Sequence, residues 1–235
     1  MTQKAQANKE MVQNMFNNIA PKYDLLNHLL SAGIDKGWRR KVRKALAGDH
    51  PEIILDVATG TGDLAIELAK LPLRKIIGID IAEDMLEIGR KKVAKRDLNQ
   101  VITLEPGDSE AIRYEDNYFD AITVAFGVRN YENLEKGLRE MYRVLKPGKK
   151  VAILEFSRPS SFPMKNIYQF YFNYILPGVG RLVSKARSAY TYLPQSVARF
   201  PENKEFMDVL LKAGFKNPQQ NRLTFGIATL YLAEK

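Results

Sequence analysis

The stretch LDVATGTGD, residues 55 to 63, constrains this chain more than any other. An apolar run, Ile53 to Leu55, enters it, and Leu64, Ala65, Ile66, Leu68 and Ala69 leave it at helical spacing. Gly60 and Gly62 let the backbone turn tightly and bring its amides close to a ligand at a helix N-terminus. Strand, tight turn and helix in that order open a doubly wound α/β sheet.

The alternation continues downstream. Apolar strands are expected at 53–57, 75–80, 101–108, 119–126 and 150–157, with helices at 62–70, 82–95 and 132–145, the last stopped by Lys146, Pro147 and Gly148. Upstream, residues 8–47 read as helices, with Ile19, Tyr23, Leu26, Leu29 and Leu30, then Trp38, Val42, Ala45 and Leu46, at helical spacing. Residues 158–200 break the rhythm: Phe162, Tyr168, Phe170, Tyr171, Phe172 and Tyr174 crowd one short stretch. At least half of these aromatics are expected in a core helix that covers a cavity, with an apolar passage for a long hydrocarbon chain as the alternative. Beyond Pro201 come a helix at 203–213 and a final antiparallel edge strand within 223–235.

A chain of 235 residues, 45% apolar and 27% charged, suits one well-buried soluble domain. With no cysteine there are no disulfides, thiolate zinc sites or thiol nucleophiles, which fits a reducing compartment. The N-terminal residues lack the apolar core of a secretion signal, and no run approaches the roughly 18 apolar residues of a span, so the cytoplasm is expected. The net charge of +9 divides as +5 over residues 1–50, −2 over 51–150, +5 over 151–200 and +1 over the rest. Two basic flanks around a near-neutral middle suit an anionic surface, although solvated helix faces carry similar surpluses.

Gly60, Gly62 and Ala65 satisfy the dinucleotide pattern, and Asp80 closes the next strand 18 residues beyond Gly62, where its carboxylate accepts from ribose hydroxyls. Nicotinamide dinucleotides and S-adenosylmethionine (SAM) both bring a ribose. Asp56 and Asp63 at the two ends of the turn repel a pyrophosphate and suit a cation, which favours SAM. Asp108 and Ser109, after the third strand, stand where an adenine edge lies across the strand ends. The expected cofactor set is Asp56, Thr59, Gly60, Thr61, Gly62, Asp80, Ile81, Asp108 and Ser109. No metal constellation is expected, because Glu115, Asp116 and Asp120 sit in a turn and on a strand start.

In order and spacing, residues 50–157 resemble the class I SAM-dependent methyltransferases. IAPKYDLLNHLLSAGIDKGWR, GTGD, EDNYFDAITVAFGVRN, LREMYRVLKPG, LEFSRP and YTYLPQSVARFP resemble the quinone C-methyltransferases of menaquinone and ubiquinone biosynthesis over nearly the whole chain. Leu26, Asp35, Ser109, Lys149 and Tyr231 depart from that family's usual residues. The resemblance implies a Rossmann-like, mostly parallel seven-stranded sheet with helices on both faces. It implies one domain over 1–235: a helical lid at 1–48, a SAM-binding core at 50–157, a substrate-covering insertion at 158–200, and a C-terminal helix and edge strands at 201–235. The implied reaction is methylation of a ring carbon on a polyprenylated quinol, either the menaquinol or the ubiquinol precursor.

Such a carbon is nucleophilic once the neighbouring phenol ionises. A phenol titrates near ~10, so about one in a thousand is ionised at neutral pH, a deficit of roughly 4 kcal/mol. Arg129 in FGVRN is the expected stabiliser of that oxyanion at the cleft mouth, with a structural clamp on a nearby carboxylate as the alternative. Asn130 orients the quinol or, more in keeping with its place, caps the following helix. Tyr23 and Asn27, on the lid, are expected against quinol or cofactor, with a core tyrosine as the alternative for Tyr23. A polyprenyl chain stays in the bilayer, so the two basic flanks are expected to dock the protein reversibly on the anionic inner face of the membrane. A nucleic-acid partner is not expected, since no recognised binding module is present. A homodimer, another small acceptor and a SAM-binding scaffold without turnover stay open.

Overall fold

The computed structural model describes residues 8–31, 33–171, 174 and 187–235. Its frame is a seven-stranded sheet in the order β3-β2-β1-β4-β5-β7-β6. The strands are β1 (Ile53–Val57), β2 (Lys75–Asp80), β3 (Ile102–Pro106), β4 (Phe119–Ala125), β5 (Leu145–Phe156), β6 (Lys216–Leu223) and β7 (Ala228–Glu234). The first five run parallel, and β7 is antiparallel to both β5 and β6. The order reverses between β1 and β4, the switch point where doubly wound sheets open a crevice at their carboxyl ends.

Helices cover both faces because the inner strands carry apolar side chains toward each face. β1 is buried throughout, as strands with two covered faces are. Leu55 and Val57 face a core with Phe119, Ile122, Met141 and Phe206. Ile54, at opposite parity, faces one with Trp38, Val42, Leu46 and Leu64.

The helices are α1 (Lys9–Leu30), α2 (Ile34–Ala47), α3 (Asp63–Leu68), α4 (Glu83–Ala94), α5 (Leu134–Val144), α6 (Met164–Phe170), α7 (Arg187–Arg199) and α8 (Lys204–Lys212). Trp38, Val42 and Leu46 form the buried stripe of α2.

Two expectations change, and a third concerns the aromatic stretch. The last strand is not an edge: β7 lies between β5 and β6, and the polar, largely exposed β6 takes the rim. The breaker at 146–148 does not separate helix from strand. α5 passes directly into β5, whose pairing with β4 jumps from Phe119↔Leu145 to Ala121↔Lys150, leaving Pro147 and Gly148 outside the ladder. Finally, α6 buries none of its residues, and Phe162, Phe170 and Tyr174 are exposed. Of the six aromatics, at least half of them expected in the core, Tyr168 and Tyr171 are half-buried and Phe172 falls outside the described residues.

Candidate active site

The glycine turn is held by two acids that act differently. Gly60 has φ +56°, a conformation costly for a side chain, and its N–H donates to Asp80 Oδ2 at 2.8 Å. Asp80 Oδ1 accepts from the Ala82 N–H at 2.9 Å. Burial raises the Asp80 carboxyl, against the pull of the N–H donors of Ala82, Gly60 and Ile81. Asp56 is only 1% exposed and sits beneath the turn. Its oxygens accept from the hydroxyls of Thr59 and Thr123, each at 2.6 Å, and burial pushes its pKa up to about 6.

A cleft of about 670 Å³, open mouth included, lies above this turn, within the size range of small-molecule sites. It collects Gly60, Asp80, Ile81, Asp108, Ser109, Asn130 and Tyr23 from the expected set. It does not collect Asp56, Thr59, Thr61, Gly62 or Arg129. The side chain of Asn27 lies outside the described residues.

Asp63 is not free to meet a ligand cation. Lys92 pairs with it, and Arg39 approaches to 3.4 Å. The discrimination against a pyrophosphate therefore rests on Asp80, which faces the cleft, and not on the two turn acids named from the sequence. Thr61 is likewise engaged, donating to Asp24 Oδ1 of α1 at 2.6 Å while Lys92 bridges both.

One face of α1 lies over the cleft. Lys9 Nζ pairs with Asp108 Oδ2 at 2.6 Å, Gln13 donates to the Ile81 carbonyl at 2.6 Å, and Asn17 accepts from the Asp84 N–H at 3.2 Å. Spaced by four, these residues form a helical stripe that marks a partner-facing surface. Sequence reasoning passed over it because polar stripes also face water.

The acceptor side is built from the end of β4. Phe126 has φ +60°, rare for an aromatic residue, and stacks on Phe156 at 4.4 Å, with Trp38 edge-on to Phe156. The next residue must be glycine. A Cβ on Gly127 would stand 2.6 Å from the Ala58 Cβ, so this segment touches the cofactor turn directly.

Arg129 turns inward. Its Nη1 pairs with Glu155 Oε1 at 2.6 Å and also donates to the Phe126 carbonyl, with Glu155 fully buried and the arginine side chain 8% exposed. Its guanidinium carbon lies 5.3 Å from the Phe156 ring centroid. The clamp alternative thus describes its contacts, and the expected free cation at the mouth is compensated by Glu155. The Arg129 Nε, buried, has no partner among the described residues.

Helix capping falls to Asn133, whose side chain accepts from the Lys136 N–H. Asn130 instead lines the cleft with a buried Oδ1 that has no partner among the described residues. Glu155, Phe126 and Tyr131 were missed as site residues. Glu155 and Phe126 stood inside quoted motifs, but only the packing shows what they touch. Among the described residues no cluster of acids or histidines suits a metal ion.

A carboxylate at the end of β2, a left-handed glycine turn and an acid after β3, around a cleft at the switch point, define a class I SAM-dependent methyltransferase. A solved SAM-dependent methyltransferase of Thermotoga maritima shares the fold, with TM-score 0.66, 20% identity, and coverage of 95% of this chain and 99% of that one. Residues 3–235 match the model of the ubiE/COQ5 methyltransferase family, and the chain belongs to that family. It is 50% identical to the demethylmenaquinone methyltransferase of Bacteroides fragilis over 96% of this chain and 93% of that protein. It is 49% identical to the ubiquinone/menaquinone biosynthesis C-methyltransferase UbiE of Geotalea daltonii, over 96% and 97%.

Proposed function

We propose that the protein methylates a ring carbon of a reduced, polyprenylated quinol, demethylmenaquinol in the first instance. The observation that carries this reading is one cleft with two chemically distinct walls. Asp80 and Asp108, with Gly60, Ile81 and Ser109 beside them, suit SAM, while Phe126 and Asn130 suit an aromatic ring with a polar substituent. The identity to demethylmenaquinone methyltransferases supports the choice of quinol.

When bound, SAM supplies an electrophilic methyl group on a sulfonium centre. Asp80 holds Gly60 and would hold the ribose end, and Asp108 and Ser109 would take the adenine edge. Phe126 and Tyr23 enclose the acceptor ring, and α1 excludes water, which positions the reactants and strengthens every charge interaction inside. Arg129, locked to Glu155 behind the cleft wall, acts through the end of β4: it holds the Phe126 carbonyl, and with it Phe126 and Asn130, against the acceptor ring. Asp56 acts below the turn, keeping Thr59 in place.

Residues 1–48 act as the lid and 158–200 as the cover of the acceptor. The protein works in the cytoplasm, reversibly docked on the inner face of the membrane. No helix among the described residues is long and apolar enough to cross a bilayer. The test is labelled methyl transfer from SAM to reduced demethylmenaquinone beside its benzoquinol counterpart. Preferential labelling of the naphthoquinol is expected; labelling of neither overturns the reading.

A further inference from the structure

We infer that α6 and the turn between β6 and β7 form a single surface that inserts into an anionic bilayer; this rests on the membrane-docked reading above. The surface presents large apolar side chains to solvent: Phe162 is 83% exposed, Ile167 54%, Phe170 58%, Tyr174 70% and Phe225 75%. Single exposed hydrophobics are ordinary, but Ile167 and Phe170 on α6, Phe162 and Tyr174 flanking it, and Phe225 on the adjoining turn make five together.

The two elements are tied together. Arg222, at the end of β6, donates to the Arg158 carbonyl at 2.9 Å and to Ser160 Oγ at 3.3 Å, both in the segment leading into α6. Ser157 Oγ donates to the Gly226 carbonyl at 2.8 Å.

A second observation concerns Phe225 itself. It holds φ +57° and ψ +20°, a left-handed conformation that Gly or Asn adopts readily and a phenylalanine rarely does. Strain of this kind persists where the surroundings enforce it and marks functional positions. Here it displays an aromatic ring to solvent.

The flanking charge suits phosphates. Lys165 and Arg222 form no ion pair among the described residues, and Arg158 pairs with Glu202. Aromatic side chains with cations beside them are the composition of an interfacial anchor.

Position completes the argument. Ala228, just after the turn, pairs with Phe156 at the carboxyl end of β5. Trp38 Nε1 donates to Thr224 Oγ1 at 2.8 Å, and its ring packs on Phe126 of the cleft wall. The surface therefore opens on the same end of the sheet as the cleft, so a docked bilayer delivers the prenyl-borne ring beside its site.

The experiment is co-sedimentation of the full chain with vesicles of phosphatidylglycerol and phosphatidylcholine, comparing wild type with Phe225→Asn and with the triple variant Ile167→Gln, Phe170→Gln, Phe225→Asn. Asparagine suits the left-handed site and glutamine suits a helix, so these changes spare the fold. Unchanged calorimetric affinity for S-adenosylhomocysteine confirms it. The triple variant is expected to bind vesicles about tenfold more weakly or worse, while Phe225→Asn turns over a short-chain soluble quinol at the wild-type rate. Equal vesicle binding by wild type and triple variant overturns this surface and leaves membrane docking intact. No binding by wild type overturns docking as well. Loss of a wild-type dimer in the variants, with vesicle binding unchanged, assigns the surface to a second copy of the chain and overturns the inference.

Discussion

Glu155→Ala removes the fully buried partner of Arg129 and leaves a guanidinium, 8% exposed, without its counter-charge. Breaking a buried pair from one side costs about 3–5 kcal/mol, because the surviving charge stays desolvated. For a chain of this size each kcal/mol lowers the melting temperature by about 2–4 °C, so a fall of roughly 6–20 °C is expected. Arg129→Met with Glu155→Met removes both charges and packs the space with apolar atoms. Stability is then expected within about 1–2 kcal/mol of wild type. Activity separates from stability in this pair of variants: without Arg129 the Phe126 carbonyl and the end of β4 that carries Asn130 are no longer held, so the double variant is expected to stay slow although it is folded. Differential scanning calorimetry and labelled methyl transfer read the two properties. A shift of less than about 3 °C for Glu155→Ala refutes the buried-pair energetics, and full turnover by the folded double variant removes Arg129 from the chemistry.

Asp80→Ala is expected to abolish binding of S-adenosylhomocysteine by calorimetry, since the same carboxylate orders the Gly60 and Ala82 amides and faces the cleft. Gly127→Ala drives a Cβ to 2.6 Å from Ala58, so cofactor affinity and turnover are expected to fall together; loss of neither would show that the turn yields freely. The buried carboxyl of Asp56, with its pKa near 6 against an ordinary 3.8, gives stability a pH slope. Between those values the folded chain binds more protons than the unfolded one, so this stabilisation is present at low pH and lost as pH rises through about 6, on the order of 3 kcal/mol in all. Asp56→Asn should flatten that part of the curve in chemical denaturation between pH 4 and 6.5, and an unchanged slope would assign it to other groups.

Local chemistry made the central βα unit legible. Apolar runs, glycines at 60 and 62 and an acid ending β2 are all signals within a few residues, and they located Gly60, Asp80, Ile81, Asp108 and Ser109 on the cleft. The polar β6 was harder to read, because an exposed edge strand has no buried face to impose alternation. The Lys9, Gln13 and Asn17 stripe was unreadable for a related reason: nothing in α1 itself says that a protein surface, and not water, lies opposite.

By itself, then, the chain's covalent order determined the five parallel strands and the helices between them, the left-handed glycine turn, and which acids gather near the switch point. Only the packed molecule decided what each charge does there. Asp56 meets Thr123 from 67 residues away and sinks below the turn. Asp63 is taken by Lys92, 29 residues on, and Arg129 is claimed by Glu155, 26 residues on. A charge's role depends on its burial and its nearest opposite charge, and both are set by contacts between elements remote in sequence.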